Sequence, residues 1–421
     1  MTTSTCEVTP LQQPIVPVER IKFQYQPKTI ALGARFSTSN RQGAKVVFMR
    51  VAFVSESFLP SINGVTNSVL RVLEHLRRQG NEAIVIVPEH PDGTPDTYAG
   101  FPVYGTPSLS LPWYPELRLS TTSNRTVKKM LSQFGPDVVH LAAPFALGNS
   151  GMQAANKLGI PTVALYQTEV PKYVASYGYP AAEPFFWRLV KRIHNSATLT
   201  LAPSTATQQQ LIDRGFERVK VWGRGVDSER FHPNKRSHQL HEEWAPNGET
   251  VVAYMGRLGR EKQVSDLAVL SDIPGVKLVI IGDGPKRDEL QQQLPGAIFT
   301  GMKTGEDLPI HLASADIFVH PGETETFGQT LQEAQASGLA VVATGSGGPI
   351  DIVADGVNGR LYPPGNLDAL RQYVADLVAD EHKRKIFGAA GRARAEQRSW
   401  EKLCDQLLDY YREAISARAR V

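Results

Sequence analysis

The stretch ADIFVHPGETETFGQTLQEAQASGLAVVAT, residues 315–344, decides how the rest of the chain is read. ADIFVHP has the apolar run of a short buried strand that ends in a loop. After Phe327 the pattern changes: Leu331, Ala334 and Gly338 recur at helical spacing. LAVVAT then reads as the next buried strand. Glu325 therefore falls in a strand-to-helix loop, and Glu333, eight positions on, falls about two turns into the helix. Gly328 near the helix start leaves backbone N–H groups to face a ligand. Carboxylates beside such donors suit a ligand that is both hydroxyl-rich and anionic, such as a sugar nucleotide. A solvated acidic loop before an ordinary amphipathic helix looks the same, so the rest of the chain has to decide.

Working outward, strand, loop and helix alternate on both sides of this stretch. From Met49, RVAFVS, AIVIVP (83–88), DVVHLAAP (137–144), TVALYQT (162–168) and LTLAPS (199–204) read as strands with helical stretches between them. After Pro233, VVAYMGRL, KLVIIGDG, AIFTG, ADIFVHP and LAVVATG read as five more. The alternation implies parallel sheets covered by helices. The expected class is α/β, with two Rossmann-like doubly wound domains facing a central cleft. The expected divisions are an N-terminal domain over 49–222, a C-terminal domain over 223–395, and a helical segment, 396–421, that crosses back to the first domain.

Residues 1–48 stand apart, without hydrophobic periodicity or the apolar core of a signal peptide. They are read as disordered or as an over-extended gene start with Met49 as initiator. Residues 50–222 carry 16 basic against 12 acidic side chains, and residues 223–421 carry 23 against 28. A basic first half favours an anionic membrane surface. Cys6 and Cys404 are the only cysteines, which fits a reducing compartment. No apolar run reaches the ~18 residues of a membrane span. A cytoplasmic protein, peripheral on the inner face of the plasma membrane, is expected, with no nucleic-acid partner.

Open parallel sheets bind ligands beyond the carboxyl ends of their strands, and the chemically informative residues fall there. Gly64 opens a helix after the first strand, where N–H groups and the helix dipole can hold a phosphate. In MGRLGREK (255–262), Arg257 and Lys262 follow a strand and can clamp a diphosphate. VIIGDGPKRDEL (279–290) lacks the third glycine of a dinucleotide fingerprint, since Arg287 holds that place, and reads as a tight strand-to-helix turn. His140 is placed at the carboxyl end of its strand. No Asp-x-Asp pair occurs to hold a divalent ion on a diphosphate, which favours neutralisation by protein cations.

Together these residues resemble the family 4 retaining glycosyltransferases of GT-B architecture, from Met49 to about Tyr411. The Gly64 loop, His140, PS-x-AT at Pro203–Thr207, GVD at 225–227, GRL and EK within 256–262, GDGP at 282–285 and the Glu325/Glu333 signature match in order and spacing. Within the family, SESFLPSINGVTNSV, YQTEVP, APSTAT, RGVD and GETETF are most similar to actinobacterial GDP-mannose-dependent α-mannosyltransferases acting on membrane glycolipids. The resemblance implies that Gly64, Arg257 and Lys262 lie at the diphosphate and His140 faces the donor sugar. It also implies that Glu325 holds a sugar hydroxyl, with the N–H groups of Phe327 and Gly328 on the sugar. Glu333 would take the ribose hydroxyls, and guanine would sit near Gly301, Met302 and Lys303. No role carries over to Arg224, which stands where many members have Asn, and Asp351 stands where Glu is common. The implied chemistry is retaining transfer from GDP-mannose to a lipid acceptor without metal or other cofactor. A UDP-sugar donor, a nucleotide-sugar epimerase and a non-catalytic sensor remain as alternatives. The acceptor side is read from Trp113 and Tyr114, taken as an exposed loop. It is also read from residues 172–194, where aromatics interleave with Lys172, Arg188, Lys191 and Arg192, as suits a lipid interface.

Overall fold

The structure is a computed structural model that describes residues 48–111, 114–167, 169, 171 and 180–419. The readings made for the N-terminal extension, Trp113 and Lys172 lie outside those residues. In the first half, apolar and β-branched runs form β1 (Arg50–Ser55), β2 (Glu82–Pro88), β3 (Thr97–Tyr98), β4 (Phe101–Thr106), β5 (Ser108–Leu111), β6 (Tyr114–Ser120), β7 (Val138–Ala142), β8 (Thr162–Leu165), β9 (Leu199–Ala202) and β10 (Val219–Val221). Eight of these make one sheet, ordered β10-β9-β8-β7-β1-β2-β4-β3. Every pairing in it is parallel except β3 with β4. In the second half, β11 (Thr250–Met255), β12 (Val276–Ile281), β13 (Ile298–Gly301), β14 (Ile317–His320), β15 (Ala340–Thr344) and β16 (Arg360–Tyr362) form a wholly parallel sheet. Its order is β13-β12-β11-β14-β15-β16.

Tyr114, expected in a loop, instead begins β6, which pairs antiparallel with β5: Leu109 lies opposite Leu119 and Ser110 opposite Arg118. Leucine at every second position is a strand pattern, and the prolines between disguise it.

Helix α1 (Gly64–Arg78) buries Val65, Val69, Val72, Leu73 and Leu76 against the first sheet. Helix α2 (Ala146–Leu158) covers the other face. Helices α3 (Glu183–Asn195) and α4 (Thr205–Asp213) follow in the first half, and α5 (Gln329–Ala336) in the second. The last helix, α6 (Trp400–Arg418), returns to the first sheet: Cys404, Leu407, Leu408, Tyr411 and Ala414 share a core with Val51, Phe53, Val138 and Val163. Burying five apolar side chains gives that crossing its strength, at roughly 1.5–3 kcal/mol for each large one.

The chain also bonds directly between its halves. Arg71 of α1 pairs with Asp227 at 2.9 Å. The start of α4 is held from the second half by Asp351, whose carboxylate accepts from Thr205 N at 2.6 Å and from the Thr205 hydroxyl.

His140 is the third residue of β7 and is buried to 1 % exposure. Its ring lies 4.6 Å from that of Phe53, and Nδ1 pairs with the Tyr411 hydroxyl at 2.6 Å. Burial pushes its pKa down to about 3, so the ring is neutral. His140 thus lies beneath α6, with its Nε2 buried and without a hydrogen-bond partner among the described residues. Tyr411→Phe is expected to leave Nδ1 without its partner and to cost about 1–3 kcal/mol. A denaturant titration checks this, and an unchanged midpoint would contradict it.

Candidate active site

Each sheet reverses its strand order beside its first strand: β1 lies between β2 and β7, and β11 between β12 and β14. The crevice outside the carboxyl ends at such a point is the standard ligand position. The two halves touch beside the second crevice. Thr207 of α4 donates through Oγ1 to Thr326 O at 3.3 Å, and Gly223 comes within 3.3 Å of the Phe327 ring, measured from an ideal Cβ.

The loop after β11 and the loop after β14 are stitched together. Gln263 Oε1 accepts from Glu323 N at 2.8 Å, and Thr324 Oγ1 donates to Glu261 O at 3.2 Å. This brings Lys262 to Glu325, with Nζ 2.7 Å from Oε2. His320 Nε2 approaches the same oxygen at 3.6 Å. Oε1 accepts from Phe327 N at 3.2 Å and Gly328 N at 3.1 Å. Burial acts to raise the Glu325 carboxyl, but the Lys262 ammonium and His320 outweigh it and hold the group well below the usual carboxylate range. Glu325 is therefore ionised and enclosed by donors. The Phe327 and Gly328 N–H groups, expected to face a sugar, are here taken by Glu325 itself.

Behind this loop runs Gly345–Gly348. Gly348 N donates to Glu325 O at 2.8 Å, and Ser346 Oγ to Glu323 O at 3.0 Å. A Cβ at Gly348 would stand 2.2 Å from Phe327 O, so only glycine lets the two loops touch.

Arg257 stays near the surface of the same crevice, with 29 % of its side chain exposed and Nη1 3.8 Å from Glu261 Oε1. Gly64 is the first residue of α1. Its place is set by Arg224, whose Nη1 lies 2.3 Å from where a Gly64 Cβ would be. Asn63 Oδ1 already accepts from Val65 N and Thr66 N, both at 3.0 Å, so only part of that helix end faces outward. Glu333 lies just past the first turn of α5 and accepts from Gln329 Nε2 at 3.2 Å. Burial raises its pKa to about 7, against the pull of Gln329, Arg230 and Arg224. Gly301 ends β13 with φ +73°; Met302 beside it is 71 % exposed and Lys303 is half-buried. A cavity of about 480 Å³ lies between the halves, lined by Pro203, Gly223, Arg224, Phe327, Asp351 and Tyr410 among others. Its lining does not reach Arg257 or Lys262, so it marks the hinge side of the cleft.

The structure thus gathers Glu325, Lys262, Phe327, Gly328 and Arg257 around one crevice. Arg224 lies beside Gly64 and acts on Glu333, and His140 is buried between Phe53 and Tyr411. Sequence reasoning missed His320, the glycines at 347 and 348, and the contact of Arg224 with Gly64. His320 stood in the opening stretch as the last residue of a strand, and its place at a carboxyl end was the available signal.

Comparison with known proteins identifies the family. The family model Glycosyltransferase Family 4 matches residues 62–230, and Glycosyl transferases group 1 matches residues 237–394. The chain is similar to a GDP-mannose-dependent alpha-mannosyltransferase of Mycobacterium tuberculosis, 46 % identical over 88 % of this chain and 98 % of the relative. It is also similar to a phosphatidyl-myo-inositol mannosyltransferase of Mycolicibacterium smegmatis, 28 % identical over 89 % and 96 %. Among solved structures, Alr3699/HepE of Anabaena in complex with UDP superposes with a TM-score of 0.70 at 21 % identity, covering 87 % of this chain and all of that one. The two facing parallel sheets are the GT-B fold, and the chain belongs to glycosyltransferase family 4.

Proposed function

We propose that this chain transfers α-mannose from GDP-mannose, with retention, to a membrane glycolipid such as glucuronosyl diacylglycerol or a phosphatidylinositol mannoside. The observation that carries this reading is the ionised Glu325 held 2.7 Å from Lys262 in the second half's crevice. A cation beside an anionic hydrogen-bond acceptor matches a diphosphate joined to a hydroxylated sugar. The identity with the mycobacterial mannosyltransferase over nearly its whole length supports mannose and guanosine as the two ends of that donor.

In this reading the diphosphate lies between Arg257, Lys262 and the start of α1 at Gly64. Lys262 passes from Glu325 to the phosphate, and Glu325 then accepts from a sugar hydroxyl. Glu333 takes the ribose hydroxyls, and guanine rests on Gly301–Lys303. The acceptor oxygen bonds to the sugar's anomeric carbon on the face the diphosphate leaves, as the carbon–phosphate oxygen bond breaks. The acceptor's proton passes to the leaving phosphate oxygen, and GDP departs. Arg257 and Lys262 stabilise the charge that develops, so no metal is required.

The acceptor side offers a surface for an anionic bilayer. On α3, Phe185 is 61 % exposed. A cavity of about 380 Å³ beside it is lined by Trp187, Phe216, Arg188, Lys191 and Arg214. The Arg214 guanidinium stacks 4.3 Å over the Trp187 ring. Apolar rings among cations suit the interfacial zone of a membrane, and no described helix is long and apolar enough to cross one.

A transfer assay tests the whole reading. Purified protein with radiolabelled GDP-mannose, glucuronosyl diacylglycerol in anionic liposomes and EDTA is expected to move label into the organic phase. Label moving only from a UDP-sugar would overturn the donor, and strict dependence on a divalent ion would overturn the cation clamp.

Glu333 makes GDP binding depend on pH. With its pKa near 7, only the ionised form accepts from both ribose hydroxyls, so affinity rises as the group loses its proton. Calorimetry is expected to show GDP binding about tenfold tighter at pH 8 than at pH 6, with Glu333→Gln flattening the dependence. An equally steep dependence in the variant would remove Glu333 from the ribose.

A further inference from the structure

The carboxyl edge of the first sheet holds a carboxylate that none of these roles uses. Glu56 follows directly on β1 and is 7 % exposed. Its Oε1 accepts from Phe145 N and Gly148 N, each at 2.8 Å, at the start of α2. The first turn of a helix carries spare N–H groups and partial positive charge, which explains why the side chain is held there. Oε2 is different: it is buried and has no hydrogen-bond partner among the described residues. Burial raises the Glu56 carboxyl above its ordinary value, although the Gly148, Phe145 and Leu147 N–H groups pull the other way. A buried carboxyl oxygen that lacks a partner is unfavourable, and a ligand can supply what is missing.

The position says which ligand. Ser57, the next residue, bonds to Asn63 Nδ2 at 2.7 Å and approaches Thr66 Oγ1 at 3.2 Å, which ties it to the start of α1 beside Gly64. β1 and β7 run in register, with Ser55 opposite Ala142. Glu56 thus sits between the starts of α1 and α2, on the first-half wall of the cleft. A phosphate would be repelled by an ionised Glu56. A hydroxyl fits, because it donates to a carboxylate oxygen, a charge-assisted bond that an amide at the same place does not match.

We propose that Glu56 Oε2 binds and orients a saccharide hydroxyl of the acceptor, making Glu56 an acceptor-recognition residue. The inference rests on the transferase reading above and involves no proton transfer.

Glu56→Gln tests it, because Gln keeps one carbonyl oxygen for the Phe145 and Gly148 N–H groups. With glucuronosyl diacylglycerol as acceptor, the variant is expected to raise the acceptor KM about tenfold or more. Its GDP affinity by calorimetry, its acceptor-independent hydrolysis of GDP-mannose and its melting curve are expected to stay as in the unmodified protein. Glu56→Ala, which removes both oxygens, is expected to show the same acceptor defect together with a lowered melting midpoint. An unchanged acceptor KM in Glu56→Gln would overturn the proposal. So would a matching loss of GDP affinity, which would make Glu56 part of the donor site or of the scaffold. If the unmodified protein turns over a different nucleotide sugar, the donor reading falls, and the same comparison made with that sugar still decides the role of Glu56.

Discussion

A buried carboxylate is tolerated only when its oxygens are met by donors, and Glu325 organises the second half's crevice around that requirement. Lys262 and His320 meet one oxygen, and the Phe327 and Gly328 N–H groups meet the other. Those donors come from the loop after β11, the end of β14 and the approach to α5, so one side chain fixes the relative positions of three segments. The glycines at 347 and 348 press against the same loop from behind. Such a site is formed before its ligand arrives. It is also self-satisfied, and a donor must exchange partners with it rather than fill empty positions. In the proposed function, phosphate draws Lys262 away and a sugar hydroxyl replaces the ammonium on Glu325, which would couple recognition of the diphosphate and of the sugar through one ion pair.

The facing crevice is held at a fixed distance mainly by apolar packing. Helix α6 buries its leucines under the first sheet, while its chain starts from the second half. The polar ties across the cleft are weaker: the Arg71–Asp227 pair is about one-third exposed on both sides, and such pairs contribute roughly 0–1 kcal/mol.

Both sheets were legible in the sequence, because runs such as AIVIVP and KLVIIG are apolar throughout and alternate with helical stretches. What was illegible depended on partners distant in the chain. The contact of Tyr411 with His140 could not be read, because the two are 271 positions apart. Asp351 showed only a conservative change, yet it holds the start of α4 from 146 positions away. Glu325 and Lys262 were legible as separate residues at strand ends. Their pairing was not, because the two loops meet only after β11 and β14 have become neighbours. The β5–β6 hairpin was hidden by its prolines, and β16 by its shortness.

The most direct measurement is a crystal structure of the protein with GDP bound. The expected result is Lys262 Nζ on a phosphate oxygen, with Glu325 Oε2 released toward the sugar position and Glu333 against the ribose. A nucleotide bound elsewhere, with the Lys262–Glu325 pair still closed at 2.7 Å, would contradict the donor exchange on which the proposed chemistry depends.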